Sequence, residues 1–389
     1  MQEKKLKVLF ISAWYPNKYK PLLGIFIKRH ASANTIDGNI SAIYVCAGEN
    51  SSIEESVEDG IYTIRGYFKR PKYKIPPFSQ LVRLIRYLLC WKKVLVLYKK
   101  KVGKPDIINS NIVYPVSIIA YLIKFIWHVP YVITEHWTGY FPEDDKYKGF
   151  VMKTISRIAV ANAGAVITDS SKLGRTMTSL GLKSKYFTIP NVVDPEVFTL
   201  KTANTHQPSV INFIHVSSLD NDQKNVTGMI RTFKKFHVTH PLSKLTIIWN
   251  EEEKEFLDKI KLSEPFSEEI GIILQGRTVG VKLAAAIQKA DAFILFSNYE
   301  NLPCVMLESF FCGIPVIGTK VGDVPEYINE KNGILIDFKD ENQLLNAMES
   351  IFKNISSYSP SEIRNMVLEK VSPAAVSKQF TDIYKMVLK

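Results

Sequence analysis

Short runs of consecutive apolar residues alternate along this chain with longer stretches in which apolar positions recur every three or four residues. In the first half, Val8 to Ser12, Ser41 to Cys46, Asp106 to Asn109, Tyr131 to Thr134 and Gly164 to Thr168 read as buried strands, with helical patterns over Ile25 to Asn34, Gln80 to Tyr98 and Val116 to Trp127. The alternation restarts after Asp194. Strands are predicted there at Ile211 to His215, Leu245 to Ile248, Ile272 to Leu274, Ala292 to Phe296 and Val316 to Gly318. Strands alternating with helices predict a parallel sheet covered on both faces. The restart predicts two doubly wound, Rossmann-like α/β domains, residues 1–193 and 194–375, facing across a cleft with ligands at the carboxyl ends of the strands.

Length agrees, since 389 residues exceed what one core usually organises. The composition, 46% hydrophobic and 23% charged, is that of an ordinary globular protein, without tandem repeats or low-complexity tracts. Cys46, Cys90, Cys304 and Cys312 form no C-x-x-C pair and follow no zinc spacing, so a reduced, cytoplasmic chain is expected. Lys4, Lys5 and Lys7 precede Val8 to Ser12, but Trp14-Tyr15-Pro16 ends that apolar run too early for a signal peptide. Tyr114 to Trp127, interrupted by Lys124, is too short to span a bilayer. Charge divides the chain. Residues 1–190 carry 29 Lys and Arg against 13 Asp and Glu, net +16, and residues 191–389 carry 21 against 25, net −4. Different partners are implied for the two halves, beside the plainer reading of solubilising surface lysine.

The stretch Ser297 to Val316 holds the densest chemistry. Glu300 and Glu308 stand eight positions apart, Glu300 in the loop after a strand and Glu308 about two turns into the following helix, which closes at Cys312-Gly313. Pro303 suits the first helical turn. The amides of Asn301, Leu302 and Cys304 are then expected free at a helix start, where the dipole amounts to roughly half a positive charge. Such an end suits a diphosphate, and a carboxylate on each side suits the hydroxyls of a sugar and a ribose. Asp220-x-Asp222, read alone, is a metal-holding acidic pair, but Asp and Asn also favour turns, and a helix end plus a lysine offsets diphosphate charge without a metal.

Glu300-x7-Glu308 resembles the E-x7-E signature of retaining GT-B glycosyltransferases of family 4. The neighbours match too: Ser297, Cys312-Gly313-x-Pro315-Val316, Gly322-Asp323-Val324-Pro325-Glu326 and Asn332-Gly333. Upstream, Ile189 to Phe198 resembles the family's P-N-G-V-D-x-x-x-F segment, while Trp14-Tyr15-Pro16 and Gly24-Ile25-Phe26 resemble its first loop. The resemblance implies a GT-B fold whose last helix, here Gln379 to Leu388 within about residues 376–389, returns to the acceptor-side first domain. It implies a UDP- or GDP-sugar donor, no metal or other cofactor, and a glycan or polyprenyl-linked acceptor in bacterial surface polysaccharide synthesis. Lys224 matches the lysine that binds the donor diphosphate, Glu308 the ribose carboxylate, Glu300 the donor-sugar carboxylate and His136 the histidine near the transferred sugar. Retention in this family proceeds without a covalent protein intermediate, so no nucleophile is assigned. Gly24 lets the backbone approach donor or acceptor, or is a simple turn glycine. Two departures stand out. Many members carry arginine where Ser218 stands, with Arg277 as a substitute cation, and the glycine-rich loop usual after the strand is replaced by Trp249-Asn250-Glu251-Glu252-Glu253.

Pro76 to Lys101 mixes Leu, Val, Trp and Tyr with Arg83, Arg86, Lys92, Lys93, Lys99, Lys100 and Lys101. As a helix it either rests peripherally on an anionic membrane surface or packs in the core with a solvated lysine face. The rival readings are an inactive nucleotide-sugar-binding relative or partner subunit, and a sugar-nucleotide 2-epimerase, which lacks this E-x7-E setting. A nucleic-acid binder lacks a groove-reading or stacking motif, and a dehydrogenase lacks its G-x-G-x-x-G after the first strand.

Overall fold

The computed structural model describes residues 5–71, 78–201, 210–250 and 254–389. Lys4, Pro76 and Glu251 to Glu253 from the readings above lie outside them. The chain divides into two compact units, Met1–Val192 with Pro373–Lys389, and Val193–Ser372.

The first unit runs β1 (Leu6–Ser12), α1 (Ile25–Asn34), β2 (Gly38–Gly48), β3 (Ser52–Glu58), β4 (Ile61–Lys69), α2 (Phe78–Lys101), β5 (Ile107–Asn111), α3 (Ser117–Trp127), β6 (Tyr131–Glu135), α4 (Phe150–Asn162), β7 (Val166–Thr168), α5 (Ser171–Ser179) and β8 (Tyr186–Thr188). Its sheet order is β3-β4-β2-β1-β5-β6-β7-β8, so the winding reverses between β1 and β5. The sheet is not wholly parallel, because β3 and β4 form an antiparallel hairpin at one edge. Asp59-Gly60, both at positive φ, make the two-residue turn that such a hairpin favours.

Helix α2 differs between its two halves. Its second half buries Cys90, Trp91, Val94 and Tyr98 in the core with Leu9, Ile43 and Ile64. Its first half leaves Phe78, Leu81, Leu84, Ile85, Leu88 and Leu89 exposed. Among the described residues no helix is long and apolar enough to cross a membrane.

The second unit runs β9 (Asn212–Val216), α6 (Asn221–Lys224), α7 (Val226–Thr239), β10 (Lys244–Ile248), α8 (Lys254–Ser263), β11 (Ile272–Gln275), α9 (Val281–Gln288), β12 (Ala292–Leu295), α10 (Cys304–Phe311), β13 (Val316–Thr319), β14 (Gly333–Ile336), α11 (Glu341–Asn354) and α12 (Pro360–Val371). The order β11-β10-β9-β12-β13-β14 is parallel throughout and reverses between β9 and β12. Arg364 of α12 gathers this unit's start, donating to the carbonyls of Pro195 and Phe198 at 3.1 and 2.5 Å and to that of Phe311, the last residue of α10, at 2.6 Å. The closing helix α13 (Pro373–Leu388) belongs to the first unit, where Phe380 and Tyr384 pack among Ile27, Ile40 and Val132. Asn109 donates to the Tyr384 hydroxyl at 2.8 Å, tying α13 to β5.

Candidate functional site

In a doubly wound sheet the loops that leave adjacent strands at the reversal part to opposite faces and open a crevice. In the second unit these loops follow β9 and β12. Strand β9 delivers His215, which is fully buried and bonded by Nδ1 to the Ile294 carbonyl at 2.9 Å and by Nε2 to the Ser217 hydroxyl at 2.8 Å. Burial, with the Lys224 charge adding to it, pushes His215 down to about 4, so the ring is neutral and Nδ1 carries the proton for the carbonyl. Ser217 Oγ accepts from Leu219 N at 3.1 Å, and Leu219 turns the chain at φ 60°. Asp220 then caps α6, accepting from Asp222 N at 3.2 Å. This relay sets Lys224 at the end of α6. Ser218 is half-buried in the same loop.

Lys224 Nζ meets Glu300 Oε1 at 2.5 Å, and Ser297 Oγ donates to the same oxygen at 2.7 Å. Both charged side chains are shielded, leaving 15% and 6% of their surface exposed. The backbones are fastened as well. Asn298 N donates to the Gln223 carbonyl at 2.7 Å and Asn298 Nδ2 to the Asp222 carbonyl at 2.8 Å. The end of β13 and the loop after it close the third side, with Thr319 Oγ1 on the Ser297 carbonyl at 2.8 Å and Asp323 N on the Asn301 carbonyl at 3.2 Å. Gly322, at φ 57°, lets these loops touch: a Cβ there would lie 2.4 Å from the carbonyl oxygens of both Glu300 and Asn301. Lys224, Glu300 and Asn301 are therefore held by loops from three neighbouring strands.

Helix α10 starts later than its sequence suggests. Pro303 is the N-cap, with extended backbone, instead of a first-turn residue, and Cys304 opens the helix. Glu308 consequently sits about one turn in, not two, and is buried. Asn301 and Leu302 are buried, and they and Cys304 each engage other groups of the chain, so the helix start is not bare. Arg277 lies in a different loop of the same sheet. It is exposed in the loop after β11, with β10 between its strand and β9, and strands are spaced about 4.8 Å apart.

The first unit places its candidates around its own reversal. Gly24, at φ 66°, precedes α1, and a Cβ would lie 2.4 Å from the Trp14 carbonyl oxygen, itself tied to Ser12 Oγ at 2.5 Å. Glycine is required there by close backbone approach. His136 follows β6 and is buried, its Nδ1 3.3 Å from Asp169 Oδ2. Burial pushes His136 down to about 3. A carboxylate only accepts, so a neutral His136 carries its proton on Nδ1. Asn191 Nδ2 also points to Asp169 Oδ2, at 3.4 Å.

Two acids here escape a sequence reading. Asp169 is one, and Glu135, beside His136, is the other. Glu135 is fully buried and accepts from the amides of Val113, His136 and Trp137 at 2.8, 2.8 and 2.9 Å and from the Tyr140 hydroxyl at 3.2 Å. Burial pushes its carboxyl up to about 7 against the pull of those donors. One carboxyl thus joins the loops after β5 and β6. The only advance signal is an acid directly behind an apolar strand.

Residues 200–364 match the family model described as glycosyl transferases group 1, and residues 40–197 match that of glycosyltransferase family 4. A putative teichuronic acid biosynthesis glycosyltransferase, TuaC of Bacillus subtilis, is 22% identical over 356 residues, spanning 88% of each chain. Sucrose-phosphate synthase of Thermosynechococcus elongatus superposes with a TM-score of 0.77 at 15% identity, covering 98% of this chain and 99% of that one. HepE of Anabaena, in complex with UDP, superposes with a TM-score of 0.72 at 15% identity over 98% and 100% of the chains.

Proposed function

The chain belongs to the family 4, group 1 glycosyltransferases, with the GT-B fold, and on that premise we propose that it is a retaining, metal-independent transferase. It moves a sugar from a UDP- or GDP-sugar to a glycan or lipid-linked acceptor in bacterial surface polysaccharide synthesis. The work is done in the cytoplasm at the inner face of the membrane. The observation that carries the reading is the meeting of Lys224 and Glu300 at the β9–β12 reversal, in the loop that leads into the helix bearing Glu308. The UDP held by HepE and the teichuronic acid role named for TuaC support the donor and the setting.

Transfer breaks the bond between the anomeric carbon and the diphosphate oxygen and forms one from that carbon to an acceptor hydroxyl oxygen, whose proton passes to the departing diphosphate; negative charge gathers on that nucleotide as it leaves. Lys224, drawn from Glu300 to phosphate, stabilises that charge, with the dipole of α10 adding to it, usually a large contribution in such sites. Glu300 stays beside the positive charge developing on the sugar, and Glu308 takes ribose hydroxyls. His136, held by Asp169 and uncharged, takes a hydroxyl through Nε2 without competing for the phosphates. Ser218 adds a hydroxyl to the phosphate loop. Arg277, exposed two strands away, is left out of the diphosphate cradle. No residue acts as a nucleophile.

Thermal-shift measurements against UDP-, GDP- and ADP-sugars, followed by assay of nucleotide release with and without acceptor, test this. Stabilisation by one class of donor and acceptor-dependent release are expected. Stabilisation without any release would make the chain an inactive sugar-nucleotide binder.

A further inference from the structure

Helices α2 and α3 lie side by side on one face of the first unit and leave between them a groove of about 370 Å³, lined by Leu88, Leu95, Val96, Ile119, Leu122 and Ile126, with Trp127 at its end. The apolar surface does not stop there. On α2 the exposed positions Phe78, Leu81, Ile85, Leu88 and Val96 recur at helical spacing, so they form one stripe along the outward side. On α3, Leu122, Phe125 and Ile126 continue it, Ile126 with 72% of its surface bare. A contiguous apolar surface of this kind marks an interaction site.

Charge says what covers it. Across their 24 and 11 residues α2 and α3 contain no Asp or Glu. Lys92 and Lys99 stand at the groove itself, Lys99 Nζ 5.7 Å from the Trp127 ring centroid, while Lys93 and Lys100 flank the stripe, exposed. Apolar side chains between lysines match acyl chains beneath anionic headgroups. A symmetric pairing with a second copy of this face would instead bring like charges together.

We propose that the α2–α3 face is a docking surface for a bilayer rich in anionic lipid, with Leu122, Phe125, Ile126 and the α2 stripe entering the headgroup boundary and the lysines contacting lipid phosphates. This extends the membrane placement proposed above but stands on the first unit's surface, not on the donor site. The test is co-sedimentation of the full chain with phosphatidylcholine vesicles and with vesicles that also carry phosphatidylglycerol. Binding to the anionic vesicles alone, falling as salt rises, is expected. Lys92→Gln with Lys93→Gln and Lys99→Gln lowers partitioning roughly a hundredfold, at about fivefold for each charge removed near the surface. Leu122→Glu with Ile126→Glu abolishes it. These residues are exposed or groove-lining, and thermal melts of each variant verify the fold. Equal binding to both vesicle types, no binding, or unchanged binding by both variants overturns the proposal. So does a lipid-free dimer that Leu122→Glu with Ile126→Glu dissolves. A failed donor assignment would appear in the nucleotide-sugar melts and leave sedimentation unchanged.

Discussion

At the carboxyl edge of the second unit's sheet a lysine and a glutamate meet at 2.5 Å, while at the same edge of the first unit the histidine is uncharged and the glutamate is pushed towards protonation. Both corners are shielded from water, but only in the second unit do the acid and the base meet each other in an ion pair. The difference lies in the partners. Lys224 and Glu300 offset each other, and either can turn to a ligand charge. His136 has no cation-stabilising surroundings strong enough to outweigh desolvation, so it stays neutral and offers shape and a hydrogen bond.

The contrast breaks most readily at the charged corner. Lys224→Ala and Glu308→Ala should each reduce sugar transfer by about a hundredfold or more, as removal of a transition-state contact does, with cooperative melting retained. Near wild-type turnover in both would overturn the site assignment. Gly322→Ala removes no charged group but drives a methyl into the Glu300 and Asn301 carbonyls. Displacement of the loop by about an ångström should lower turnover up to a hundredfold, with a smaller change in the melting temperature than in rate. Unchanged kinetics in that variant would mean the three-loop clasp has no bearing on the site.

Stability against pH sharpens the comparison further. His30 and His136 are pushed down to about 3 and His215 to about 4 from an ordinary 6.5, all by burial. The unfolded chain therefore binds more protons than the folded one between these values. Their contribution is complete above about pH 6.5 and is lost as pH falls towards 3 to 4. Glu135 has the opposite sign. Its folded value of about 7 lies above the ordinary 4.5, so its contribution is complete below about 4.5 and declines as pH rises through 7. Urea titrations across this range should show Glu135→Gln flattening the neutral-side decline and leaving the acid-side loss intact. The smallest effect expected is that of a chelator. Asp220 spends its carboxylate on capping α6, and transfer measured with and without EDTA should agree within error; loss of activity restored by a divalent ion would revive the acidic-pair reading.

How much of this can be read from sequence depends on how local each feature is. Strands β1, β6 and β12 are buried along nearly their whole length and announce themselves as apolar runs. Strand β3, Ser-Ile-Glu-Glu-Ser-Val-Glu, alternates exposed and half-buried residues at the sheet edge, and so looks like a loop. β8 has only three residues, and β14 follows directly on Asn332 in a four-residue run. The same distinction governs the site. Glu300 and Glu308 share one strand–loop–helix segment, so their spacing is visible in the chain. Glu135 draws its donors from residues 113, 136, 137 and 140, and Asp169 meets His136 across 33 positions; neither convergence exists before the chain folds. Arg277 shows the limit of sequence order. Its position in the sequence order suits a phosphate ligand, but β10 intervenes between its strand and β9.

Arg364 has a mechanical consequence. Because one guanidinium holds both the stretch that opens the second unit and the far end of the helix bearing Glu308, a displacement of that stretch reaches the Glu308 helix through a single side chain, without passing through the sheet. Replacing this cation removes that direct link between the opening segment and the helix.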